Sequence, residues 1–570
     1  MWEWIVGRRK PRHALDRELS TPRALRRFIA GLPAGTPEAS LQAVAAVFEA
    51  ARELGIAPAA RLQALCALDE FVRSSCRVLA RRLLDDSPRQ VLCEGVWKHL
   101  FQYYRALDAG YTAAIEAFDA GACDSAMHAQ IAVAACRAMQ AMAKCNMLLR
   151  MRYREPSAAS WHRIERLLEL ATARSAASAL LALYPDEPGE TTLVREYLVA
   201  AASETAPNAN LLPAQIHGVD LLLRRHAAEF RLGESFDATA MPFALDPARD
   251  ARPMRWLDGL ATRPGMRFFG LGQAYAHILA ERECAERARS TPQWLAPSQL
   301  SAERYRELLA ALAAQWALEP PARRHRREPA AGEILVAHDL PLIRRLIGFG
   351  ELARTGRALE YDRFSAYDIN GVVRGHNDVQ LRAPTETRTV SAEEALRNLE
   401  TFERALEPGA IELWRIADTS DKGLGAEATG TITWVKPGLL IAYRSPDSAQ
   451  WALAAVRRLN RAAHNTLQVG TLRIGMYKLP GSAQGARVAL NDPRQVPRST
   501  PAAPALHYDA IMLAGDQPSL LLPPGVFDPA WRYTLTAGNR WDFIRMRRCT
   551  ECGLDFEQID YTIVRAQQAA

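Results

Sequence analysis

Trp414-Arg415-Ile416-Ala417-Asp418-Thr419-Ser420-Asp421-Lys422-Gly423 carries a strand-like run, Ile411 to Ile416, into a polar turn. Asp418, Ser420 and Gly423 stand in the pattern D-x-S-x-x-G. Side chains two apart on a strand point to the same face, which groups Asp418 with Ser420. An ionised carboxylate only accepts hydrogen bonds, whereas a serine hydroxyl donates or accepts. Gly423 lets the backbone turn and approach a ligand without a Cβ in the way. Trp414 is expected in a core, with Arg415 on the opposite face.

Further strand-like runs surround this stretch: Glu333 to Ala337 before it, then Ala426 to Trp434, Gly438 to Arg444, Ala452 to Leu459 and Thr466 to Met476. Two helical pieces interrupt them. One spans about Leu340 to Ala353. The other starts at Ser391, where Glu394 completes a capping box, and runs to about Leu406. A Pro-rich break, Asn491 to Pro504, precedes a last β-rich piece with strands at His507 to Leu513, Ser519 to Leu522, Arg532 to Ala537, Trp541 to Arg547 and Asp555 to Val564. That piece reads as a second small barrel or sandwich.

Upstream lies Glu319-Pro320-Pro321-Ala322-Arg323-Arg324-His325-Arg326-Arg327-Glu328-Pro329. Proline on both sides disfavours helix, and the charge is concentrated, so this is a basic linker. Arg323 and Arg327 form R-x-x-x-R within it. Before the linker, from about Thr21 to Gln315, apolar residues recur at helical spacing with short Pro- or Gly-containing breaks. One helix is expected to start at an Ser40 N-cap and stop at Gly55. The series predicts a helical bundle or α-solenoid. Its Met and aromatic positions read as core.

The linker arginines, the D-x-S-x-x-G stretch after Leu413-Trp414-Arg415-Ile416, and later barrel-like strands at Ala454 to Leu459 and Leu467 to Gly470 together resemble a PilZ domain, the family of cyclic di-GMP receptors. The resemblance covers about Arg323 to Leu479. It implies a six-stranded barrel that binds cyclic di-GMP through Arg323, Arg324, Arg327, Asp418, Ser420 and Gly423. The remainder of the chain resembles larger bacterial PilZ-containing receptors, including those linked to type IV pili and motility. The chemistry is consistent with that ligand. Arginine pairs bidentately with guanine O6 and N7 or with phosphate, and it stacks on bases. Asp418 can accept from the N–H groups of a guanine edge.

The expected division is a multidomain α+β chain: an all-α domain at 1–317, a basic linker at 318–332, a PilZ-like barrel at 333–490 with an insertion at about 338–408, and a C-terminal β-rich domain at 505–570. Roughly ninety residues separate Arg327 from Asp418, more than a compact barrel needs, and the two helical pieces fill that gap.

At 570 residues the chain is long enough for roughly two to four domains. Hydrophobic residues make up 49% and charged residues 24%, which are globular values. The charge of +7 is thinly spread over 64 acidic and 71 basic residues, so an anionic ligand is expected and a nucleic-acid partner is not. Nine cysteines without regular spacing suit a reducing compartment, and the odd number argues against a disulfide framework. No signal peptide or bilayer-length apolar run is read, so a cytoplasmic location is expected. Cys549 and Cys552 form a C-x-x-C read as a hairpin turn, and Gly270-Leu271-Gly272 lacks the third glycine of a dinucleotide fingerprint. Neither a Walker A sequence nor H-E-x-x-H nor G-x-S-x-G occurs, so no enzyme, cofactor or metal is predicted.

Each half of the motif also has a plain structural reading. Arg323 to Arg327 could be a solvated charge run, and Asp418 with Ser420 an Asx turn. Two functions follow: a cyclic di-GMP receptor that signals to an unidentified protein partner, or a degenerate PilZ adaptor that binds protein alone.

Overall fold

The computed structural model describes residues 13–568 except 34, 85–92, 118–124, 174–176, 188, 250–251, 258–259, 289, 321–325, 356–390, 431, 462–469, 492–506, 516–517 and 538–539. Two compact units divide the chain, Met1–Ala322 and Arg323–Ala570.

The first unit is mainly helical: α1 (Asp16–Leu19), α2 (Pro22–Ala30), α3 (Pro37–Glu49), α4 (Pro58–Leu83), α5 (Glu94–Glu116), α6 (Ser125–Met151), α7 (Ala158–Thr172), α8 (Leu193–Thr205), α9 (Pro213–Arg225), α10 (Gln273–Arg287) and α11 (Ala302–Trp316). The start of α3 differs from the sequence expectation. Thr36 is the N-cap, its hydroxyl accepting from the Ala39 N–H at 3.2 Å, with Pro37 at the first helical position. Proline there has its fixed φ suited to the first turn and loses no helical bond, which makes Thr-Pro the stronger start. Ser40 lies one turn inside, buried, donating to the Pro33 carbonyl at 2.6 Å. On α5, Gly110 lets α3 come close, because a Cβ there would stand 2.6 Å from Phe48 Cδ1.

Leu, Ala and Met from α3 to α9 build one continuous core. A charged cluster is sealed inside it. Asp69 on α4 is 2% exposed and accepts hydroxyls from Tyr103 at 2.8 Å and from Tyr111 and Tyr184 at 2.9 Å each. Arg137 on α6 sits 3.7 Å from Asp69 and donates to Glu70 at 2.7 Å. Burial first, then the Asp69 charge, pushes all three phenols well above their ordinary range, so they stay neutral donors.

A small sheet interrupts the helices: β1 (Arg231–Gly233), β2 (Phe243–Leu245), β3 (Met254–Arg255) and β4 (Arg267–Gly270), in the order β1-β4-β2-β3. The helical reading passed over it because strands of two to four residues are too short to show a period of two.

The second unit holds two closed barrels. The first uses β5 (Glu328–Pro329), β6 (Glu333–His338), β7 (Ile411–Thr419), β8 (Gly423–Ala428), β9 (Leu440–Arg444), β10 (Ala452–Arg461) and β11 (Leu472–Lys478). Six of them form the ring β7-β6-β9-β10-β11-β8, closed by β7 on β8, and β5 adds to the edge of β7. Trp414 is buried as expected, with Arg415 exposed. The run read as Ala426 to Trp434 is shorter, because Gly430 takes a positive φ of 113° and turns the chain out of the sheet.

β12 (Ser482–Asn491), β13 (His507–Ala514), β14 (Ser519–Leu522), β15 (Arg532–Ala537), β16 (Arg540–Cys552) and β17 (Glu557–Gln568) close the second ring in the order β12-β13-β14-β17-β16-β15. This ring begins at Ser482, although the sequence reading kept residues up to 490 in the first barrel and began the C-terminal domain at 505. Ser482–Asn491 is rich in small residues and alternates weakly, so its strand character comes from pairing with β13 and β15. β16 runs through Cys549 to Cys552, whose sulfurs lie 2.8 Å apart, so the C-x-x-C ends the strand and the turn follows it.

Between β6 and β7 the chain forms α12 (Leu340–Thr355) and α13 (Ala392–Ala405). Leu340, Ile343, Leu346 and Ile347 of α12 and Leu399 and Phe402 of α13 share one core with Leu440, Leu453 and Ala455 of the first barrel and Ile511, Leu513 and Phe556 of the second. Polar ties reinforce it: Arg344 to Asp509 at 2.8 Å, and Arg444 to both oxygens of Glu403 at 2.9 and 3.0 Å. Among the described residues no helix is long and apolar enough to cross a membrane.

Asp555, in the turn after β16, accepts from the Leu440 N–H of the first barrel at 2.8 Å. Burial pushes its carboxyl up to about 7. The folded form therefore holds a proton that the unfolded chain has released above about pH 4. Stability should fall as pH rises from about 4 to 7 and level off above. Melting curves of wild type and Asp555→Asn between pH 5 and 8 check this. The wild-type Tm should drop with pH more steeply than that of the variant, and parallel profiles would refute the assignment.

Candidate functional site

Asp418 lies near the end of β7, only 9% exposed. A bulge between Ile416 and Asp418 shifts the β7–β8 register there and re-aims the strand. Both carboxylate oxygens are held. Arg327, just before β5, donates through Nη1 to Oδ1 at 3.0 Å, and Arg473 on β11 through Nη2 to Oδ2 at 3.1 Å.

Strand register explains why three distant segments meet. Pro329, Asp418, Gly425, Gly475 and Arg458 pair in turn across β5, β7, β8, β11 and β10, forming a single rung around the barrel wall. Its third and fourth members are glycines. A Cβ on Gly425 would stand 2.6 Å from Asp418 Oδ1, so the carboxylate lies directly over bare backbone. A Cβ on Gly475 would stand 3.7 Å from Arg327 Nη2. Gly425 and Gly475 thus form a side-chain-free strip with Asp418 on one side, Arg458 on the other, and the Arg327 guanidinium above it.

Ser420 and Gly423 make the adjoining turn. The Ser420 N–H donates to the Gly423 carbonyl at 2.8 Å, and the return bond is 3.4 Å. Gly423 has no positive φ, so it is not needed to bend the chain as the sequence reading supposed. A Cβ there would come 2.9 Å from Ser420 Oγ, so a larger residue would make that hydroxyl turn aside. Lys478 caps the turn, its Nζ donating to Thr419 Oγ1 and to the Ser420 carbonyl, each at 2.9 Å.

The structure thus brings Arg327 to Asp418 and sets Ser420 and Gly423 beside them. Arg323 and Arg324 lie outside the described residues. Sequence reasoning missed Arg473, Arg458, Lys478 and the Gly425–Gly475 pair. The available signal was alternation in Leu472–Lys478, which places Arg473 and Gly475 on one face of a strand.

The two described helices of the insertion attach away from this site. α12 departs from the His338 end of β6 and α13 returns at the Ile411 end of β7. Asp418 stands seven residues along β7 from Ile411, about 23 Å away at strand rise. The described ends of the segment between Arg327 and Asp418 thus leave and rejoin the hairpin at its far end.

Fold and site together define a class: a helical unit followed by two closed six-stranded antiparallel barrels, the first carrying an arginine-clasped carboxylate on its wall. Residues 23–237, within the helical unit, match the family described as the N-terminal domain of the cyclic-di-GMP receptor FimW. No curated protein and no solved structure matches the chain.

Proposed function

We propose that this chain is a cyclic di-GMP receptor of the PilZ kind, binding the dinucleotide on the glycine strip of its first barrel. Arg327 and Asp418 hold it, with Ser420 and Gly423 at the turn and Arg323 and Arg324 closing from the linker. Arg473 joins them. The observation that carries this reading is the convergence of Arg327 and Arg473 on Asp418 over bare backbone. The similarity of residues 23–237 to a cyclic-di-GMP receptor's N-terminal domain supports it independently.

Energetics favour exchange of partners. Arg327 and Arg473 keep 41% and 59% of their side-chain surface exposed. Asp418 keeps only 12% of its side-chain surface exposed, so these pairs lie at or above the roughly 0–1 kcal/mol of fully exposed ones. A bidentate arginine–guanine contact discriminates between bases by roughly 1–3 kcal/mol, and a guanine edge donating to Asp418 replaces the guanidinium that the dinucleotide draws off. Asp418 then turns to a guanine edge. The freed linker arginines reposition the segment that leads to the helical unit, and a protein partner reads the change as a population shift. Control of pili, motility or surface behaviour would follow from that partner.

Isothermal titration of the purified chain with cyclic di-GMP tests the reading. Binding at micromolar affinity or better is expected, with cyclic di-AMP at least tenfold weaker, since adenine lacks the O6 acceptor that arginine reads. Failure of the wild-type chain to bind at micromolar concentrations would leave the protein-only adaptor.

A further inference from the structure

We propose that His226, Glu229 and His277 form a binding site for a divalent transition-metal ion of the zinc class. Nothing in the cyclic di-GMP reading uses them, and all three lie in the helical unit. His226 is at the end of α9, Glu229 in the short 3₁₀ turn Ala227–Glu229 that follows, and His277 in α10.

One potential ligand atom from each residue lies within 4.8 Å of the others. The closer separations are more telling. Glu229 Oε1 is 3.3 Å from His226 Nδ1 and 3.0 Å from His277 Nδ1. A tetrahedral ion with bonds of about 2.1 Å needs ligand atoms about 3.4 Å apart, so little rearrangement separates this cluster from a coordination shell. Two imidazoles and a carboxylate suit zinc and its neighbours, whereas magnesium and calcium want oxygen.

The surroundings are built for orientation. His226 is 8% exposed, so its ring cannot swing freely. Its other nitrogen, Nε2, faces Glu281 Oε1 at 3.5 Å. Metal-bound histidines commonly direct their second nitrogen at a carboxylate in this way. Glu281 is itself fixed by the Tyr305 hydroxyl. Gly272, at the start of α10, has a φ of 55°, and a Cβ there would stand 2.2 Å from the Glu229 carbonyl. That close approach seats the Glu229 turn against the helix that carries His277. His277 keeps 54% of its side-chain surface exposed, which provides a path for the ion and a position for water as a remaining ligand.

The test uses the full chain with Cys549→Ser and Cys552→Ser, so that the thiol pair on β16 takes no metal. After chelator treatment and dialysis, zinc chloride is titrated in competition with a chromophoric chelator. A single zinc ion per chain should bind at micromolar affinity or tighter, with no competition from millimolar magnesium. His277→Ala and Glu229→Gln should each weaken binding roughly tenfold or more. Equal affinity in wild-type and His277→Ala backgrounds would overturn the proposal. So would the absence of stoichiometric zinc in the serine background. His277 is exposed, so its replacement should leave the far-UV circular dichroism and the metal-free Tm unchanged, and folding loss does not confuse the result.

Discussion

Asp418→Ala should weaken cyclic di-GMP binding by roughly tenfold to hundredfold, corresponding to about 1–3 kcal/mol. The carboxylate has two tasks in the proposed mechanism. It accepts from a guanine edge when ligand is bound, and it holds Arg327 and Arg473 in place when ligand is absent. Alanine removes both. Arg327→Lys should lose most of what Arg327→Ala loses, because an ammonium keeps the charge but not the planar fork. Calorimetry reads all three. The barrel itself should tolerate these changes. The two arginines are half-exposed and can turn to water, so Tm should move by no more than a few degrees. If Asp418→Ala binds the dinucleotide as tightly as wild type, the proposed contact is wrong. If it leaves binding intact and melts far lower, the clasp is a structural lock.

A larger effect on stability is expected from Asp69→Ala in the helical unit, where roughly 3–5 kcal/mol should be lost. The substitution strips the acceptor from three buried tyrosine hydroxyls and leaves the nearly inaccessible Arg137 without its nearby Asp69 charge. Each orphaned buried donor costs about 1–3 kcal/mol, and these groups share one acceptor, so the penalties do not simply add. Tyr103→Phe is the milder comparison. It removes donor and need together and should lose about 0.5–1.5 kcal/mol. Urea denaturation followed by far-UV circular dichroism separates the two. A loss below about 1 kcal/mol for Asp69→Ala would mean that water enters the cluster and satisfies the hydroxyls.

What could be read from the sequence depended on how locally each feature is encoded. Long amphipathic helices such as Pro58–Leu83 declare themselves through many turns of one period. Short strands do not. Phe243–Leu245 and Arg267–Gly270 are strands because they pair with each other and with flanking strands, and those partnerships are invisible along the chain. Ser482–Asn491 shows the same limit, since its allegiance to the second ring is fixed by His507–Ala514 and Arg532–Ala537. In the site, Arg327 and Asp418 were legible because their local patterns matched a known arrangement. Arg473 was not, since nothing in Leu472–Lys478 announces that its register sets an arginine beside a carboxylate 55 positions earlier. At Gly423 two properties were expected, a turn and a missing Cβ, and its φ is not positive, so the first does not depend on glycine.

The apolar seam in which α12 and α13 join the two rings has a practical corollary. Cutting the gene anywhere between Lys478 and His507 would bare Ile511, Leu513 and Phe556 on one fragment and Leu440 and Leu453 on the other. Neither piece would be a sound expression unit, and both would be prone to aggregate. The pair should instead denature in one cooperative step.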